Sequence, residues 1–152
     1  MTRGSARKAK LANFLHFLRA WAIFACVAAI FFSSTAVAGR WCDRAFDSTW
    51  VFLLAELAPY APSYALTHLL AEKTVHFVLF CIFGMLLWRT VPKRPGKVWL
   101  ILLCGAVVGT CAEILQIFFP PRDPLIKDVL IDILGTAIGV ALTRSYLNRQ
   151  PE

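Results

Sequence analysis

The chain has 152 residues, 59% of them hydrophobic, and a formal charge of +7. That length sets a single domain, and a mean hydropathy of +0.64 excludes an ordinary soluble globular protein in favour of an integral membrane protein. The positive charge does not mark a nucleic-acid binder. The basic residues flank apolar runs in short groups, as membrane topology signals do, and no nucleic-acid motif is present.

Residues 1–13 form a basic tail carrying Arg3, Arg7, Lys8 and Lys10. An apolar run follows at 14–38, long enough for a transmembrane helix of about 20 residues. Its basic start and the Ala36-Val37-Ala38 sequence before Gly39 also fit a cleavable signal peptide. Residues 39–72 are mixed. Ser48 or Thr49 can cap a short helix, Trp50 to Leu57, which Pro59 and Pro62 then interrupt. This segment reads as extracytoplasmic or interfacial, with Trp50, Tyr60 and Tyr64 at head-group level.

The region 73–143 reads as a core of three transmembrane helices. They span about Lys73–Trp88, Val98–Phe119 and Lys127–Leu142. A basic turn with Arg89, Lys93, Arg94 and Lys97 joins the first two, and the loop Pro120-Pro121-Arg122-Asp123-Pro124 joins the last two. Residues 144–152 form a tail. The fold class expected is all-α, an integral membrane bundle of about four transmembrane helices. Lysine and arginine concentrate in the N-terminal tail, the 89–97 turn and the C-terminal tail, so both termini are expected in the cytoplasm. Of the five cysteines, four lie in apolar runs and none forms a C-x-x-C pair, so neither a zinc motif nor a full disulfide framework is indicated.

Polar residues gather at the ends of the core helices, on the extracytoplasmic side in this topology. Glu72 and His76 are i,i+4, as are Asp128 and Asp132, while Glu113 and Gln116 are i,i+3. Each pair shares one helix face. Charged faces avoid lipid, so the three faces should turn inward and form a polar recess. Gly105-x-x-x-Gly109 and Gly135-x-x-x-Gly139 suit close helix packing beneath it.

These residues carry a resemblance. Glu72-Lys73-x-x-His76-Phe77 with Phe83-Gly84-x-Leu86-Leu87, then Glu113-x-x-Gln116 with Pro120-x-Arg122, then Asp128-x-x-x-Asp132-x-x-Gly135-x-x-x-Gly139 resemble in order the three motifs of the VanZ-like membrane family. Glu72 stands where that family commonly has Asp, and Asp132 where it commonly has Asn. The resemblance implies a bacterial plasma-membrane protein linked to the cell envelope. The family's name comes from teicoplanin resistance, and the resemblance brings no assigned reaction.

Glu113, His76 and Asp128 are the candidate acid–base groups, and Arg122, Gln116, Lys73, Glu72 and Asp132 the candidate ligand-binding ones. Histidine titrates near neutrality, and the planar fork of Arg122 suits a phosphate or carboxylate. Each also has a plain structural reading. His76 can be an interhelical hydrogen-bonding group, Arg122 a counter-ion, and Asp128 a helix-start charge stabilised by the dipole. No metal site is expected, since one histidine with scattered carboxylates is not a metal-ligand pattern, and no cofactor fingerprint is present. The partners expected are the lipid bilayer and an envelope precursor or glycopeptide. A proton-linked transporter and a non-catalytic membrane scaffold are the alternatives. The oligomeric state is not readable from the sequence.

Overall fold

The computed structural model describes residues 3–35, 37–41, 44–45, 64–118 and 126–149. Among the described residues, four long helices carry the fold: α1 (Arg3–Ser33), α2 (Tyr64–Thr90), α3 (Lys97–Gln116) and α4 (Ile126–Asn148). The proposed Trp50–Leu57 helix and the proline loop at 120–124 lie outside the described residues.

Helix α1 starts inside the basic tail, because no proline and, after Gly4, no glycine interrupts it. It ends five residues before Ala38, where the apolar run had suggested it would. The cause is local. Ser33 and Ser34 donate their hydroxyls to the Ile30 carbonyl (2.7 and 3.1 Å), and Thr35 donates to Phe32 (2.7 Å). These bonds compete with the helical ladder and stop it. Helix α2 begins at Tyr64, soon after Pro62, because nothing from there to Phe83 breaks a helix. It ends before Pro92, which disfavours the helical conformation of its predecessor. Gly96 then takes the left-handed conformation (φ 75°) that other residues adopt only with strain. Lys97 closes the turn. Its ammonium donates to the Trp88 carbonyl (2.6 Å) and sits 4.2 Å from the centre of the Trp88 ring, a cation–π contact. Helix α4 continues to Asn148, past the expected end at Leu142, since no breaker follows Gly139 until Pro151.

Side-chain partners define the directions. Arg19 meets Arg89, Cys26 meets Leu79 and Ser33 meets His76, so α1 and α2 are antiparallel. Gly105 lies against Thr136 and Gly109 against Asp132, so α3 and α4 are antiparallel. Gly135 lies against Phe77 and Gly139 against Cys81, so α2 and α4 run parallel. The start of α1 and the end of α4 therefore share one end of the bundle.

The α2–α4 seam is the closest approach. A Cβ added at Gly135 would come within 2.7 Å of the Phe77 carbonyl oxygen, and one at Gly139 would overlap the Cys81 carbonyl. Small residues admit this backbone contact, and close packing is the main attraction available between helices in lipid. Phe80, Phe83, Ile30, Ile101, Ala112 and Val140 fill the buried core. The outer faces of α1 and α3 expose Phe14, Phe17, Trp21, Phe24, Leu103 and Val107, as helices facing lipid do. Among the described residues, three stretches are long and apolar enough to cross a membrane: Lys10–Ser33, Lys73–Thr90 and Lys97–Gln116.

Gly139→Val should destabilise the protein by about 3 kcal/mol or more, because the new side chain meets backbone that cannot rotate away. Leu103→Val, on an exposed face, should change stability by under about 1 kcal/mol. Thermal unfolding in detergent separates the two.

Candidate functional site

The end of α1, the middle of α2 around Lys73 and His76, the last turns of α3 and the first turns of α4 meet in one region. Lys73, His76, Glu113, Gln116, Asp128 and Asp132 all lie there. Lys73 forms an ion pair with Asp128. Glu113 and Gln116 are buried (5% and 7% exposed). Glu113, Asp128 and Lys73 all act electrostatically on Asp132. Glu72 lies on α2, but its side chain is outside the described residues, as are Arg122 and Asp123.

Asp132 is the centre of the group. It is fully buried, under the Cα of Gly109. A Cβ at Gly109 would stand 2.9 Å from its Oδ2. Neither carboxylate oxygen has a hydrogen-bond partner among the described residues. Among the described residues His76 faces it, with Nδ1 3.9 Å from Oδ1, too far for a direct hydrogen bond. On the other side of the ring, Nε2 is 3.5 Å from the Ser33 hydroxyl.

This row has a chemical consequence. The Ser33 hydroxyl spends its proton on the Ile30 carbonyl, so it presents a lone pair to His76, and Nε2 is the nitrogen suited to carry hydrogen there. Nδ1 then faces Asp132. At 3.9 Å the contact between them is electrostatic rather than a hydrogen bond. His76 and Asp132 thus face each other across the α2–α4 seam as two titratable groups.

Ser33 and Thr136 escaped the sequence reading. Serine or threonine in an apolar helix is common and carries no mark of a site. Thr136 donates its hydroxyl to the Asp132 carbonyl (2.9 Å) and packs under Gly105. The two glycine pairs do not meet each other. Gly105 and Gly109 make room for α4 side chains, while Gly135 and Gly139 make room for the α2 backbone.

Asp132→Asn should leave stability unchanged or raise it, since it removes a buried carboxylate that has no hydrogen bond. Lys73→Met should lower stability by between about 1 and 3 kcal/mol, between the surface and fully buried limits for breaking an ion pair. Unfolding midpoints of the two variants should therefore move in different directions, or only the second should move.

No curated protein and no solved structure matches the chain. The family model VanZ/LLP1 matches residues 18–147, a range that includes all four helices apart from the start of α1 and the last residue of α4. With the three motifs of α2 to α4 falling inside that match, the chain belongs to the VanZ/LLP1 family.

Proposed function

We propose that this protein is a multi-pass protein of the bacterial plasma membrane. All four helices cross, both chain ends face the cytoplasm, and the cluster around Asp132 faces the outer leaflet, where it binds or acts on a cell-envelope component. Helix α4 is not among the three stretches long and apolar enough to cross by composition alone, but its Asp132, Thr136 and Thr143 are buried in the bundle rather than turned to lipid. At 23 residues and about 1.5 Å per residue it is long enough to span. The arginines and lysines of the shared end favour the cytoplasm.

The observation that carries the reading is the fully buried carboxylate of Asp132 facing His76. An acidic group inside a membrane helix costs about 2.5–3.5 kcal/mol on insertion scales. Interhelical hydrogen bonds contribute about 0.6–2 kcal/mol each, and Asp132 makes none with its oxygens among the described residues. Gluing helices together does not account for such a group. Holding a proton for a ligand that enters from outside does. The substrate class favoured is a peptidoglycan precursor, a lipid-linked sugar or a glycopeptide, and the phenotype favoured is teicoplanin tolerance.

A deletion strain should become several-fold more susceptible to teicoplanin, and a plasmid-borne wild-type copy should restore tolerance. Asp132→Asn and His76→Gln copies, expressed to the same level in the membrane, should fail to restore it. Unchanged susceptibility on deletion would sink the glycopeptide link, and full rescue by both variants would remove the proton-holding role.

A further inference from the structure

The opposite end of the bundle holds a second feature that the cluster around Asp132 does not use. Between the last turns of α2 and α4 lies an open cleft of about 620 Å³. That is within the roughly 300–1,000 Å³ of small-ligand sites. Arg89 and Arg149 line it with Ser145, Tyr146 and the buried Thr143. Further along both helices it is lined by Met85 and Leu142. Arg19 of α1 reaches the same place and donates to the Arg89 carbonyl (3.4 Å).

Among the described residues no acidic side chain forms an ion pair with the charges here. The sequence contains no aspartate or glutamate in residues 1–42, 73–112 or 133–151. Those ranges hold Arg19, Arg89, Lys93, Arg94, Lys97, Arg144 and Arg149. The carbonyl ends of α2 and α4 supply only about half a negative charge each. Among the described residues a net positive charge remains around the cleft, suited to an external anion.

Depth and polarity narrow the anion. From Lys73 to Arg89 on α2 the rise is about 24 Å at 1.5 Å per residue, close to the roughly 30 Å of bilayer hydrocarbon. Arg89 therefore sits at one membrane interface when Lys73 sits near the other. The cleft is cationic on the water side and apolar on the lipid side. A free phosphate uses only the first of these surfaces, whereas a phospholipid uses both. Arginine forks bind phosphate oxygens in pairs, and basic pockets between membrane helices are suited to anionic head groups.

We propose that this cleft binds the head group of an anionic phospholipid, with Arg89 and Arg149 on the phosphate and the acyl chains leaving over Met85 and Leu142. The inference needs the helices to cross a bilayer but does not depend on any role for Asp132.

Native mass spectrometry of the detergent-solubilised chain with phosphatidylglycerol or phosphatidylcholine tests it. Wild type should retain phosphatidylglycerol in preference. Arg89→Gln/Arg149→Gln should lower that preference about tenfold or more. Lys93→Gln/Arg94→Gln removes the same charge from the exposed turn outside the cleft and should keep the preference. Excess inorganic phosphate should not displace the lipid. Arg149 lies beyond the end of α4, so Arg149→Gln alone, expected to act in the same direction, covers the case in which the double variant does not fold. The proposal is overturned if the cleft variants keep the wild-type preference, if both double variants lose it equally, or if free phosphate competes fully.

Discussion

The backbone contact between α2 and α4 is the constraint on which the rest of the bundle depends. Gly135 and Gly139 present no side chains to the carbonyls of Phe77 and Cys81, so the two parallel helices touch main chain to main chain. That contact sets the rotation of α4. Once it is set, Asp132 and Thr136 must point towards α3, where Gly109 and Gly105 leave them room. The burial of Asp132 is thus a geometric result of the seam rather than a separate choice. The same seam holds Asp128 level with Lys73, and Asp132 level with His76.

The second organising fact is the separation of charge along the bundle. Glu113, Asp128 and Asp132 stand at one end with Lys73 and His76. At the other end, arginines and lysines stand with no acidic residue in the surrounding helical sequence. In water such a separation would be screened within about 10 Å at 0.1 M salt. Across hydrocarbon the two ends cannot neutralise each other, and each must find partners locally. The acidic end has them internally, in part, through Lys73 and His76. Among the described residues, the basic end has helix-end carbonyls, such as those that accept from Arg19 and Lys97.

Between these ends the bundle is plain packing. Phe80, Phe83, Ile30 and Ile101 are buried in the layer that separates the His76–Asp132 pair from the Arg89–Arg149 cleft. Local hydroxyls recur at the edges of this layer. Ser33, Ser34, Thr136 and Thr143 all return their protons to a carbonyl on their own helix, which keeps their polarity satisfied without a cross-helix partner. Ser33 alone of these also faces a titratable group on another helix.

The sequence by itself determined the membrane class, the all-helical composition and the family, because apolar run length and the order of three motifs are properties of a single chain. Helical spacing also determined which polar residues share a face, as with Asp128 and Asp132. It could not choose partners, since spacing along one helix says nothing about the rotation of the next. That Gly139 faces α2 rather than α3, that Ser33 comes beside His76, and that Arg89 and Arg149 border one cleft are all consequences of how the helices pack. Helix ends were legible where proline decides them, as before Pro92. They were not legible where side-chain hydroxyls do, as at Ser33. A serine caps or ends a helix only when its backbone lets the hydroxyl reach a carbonyl, and that is decided in three dimensions.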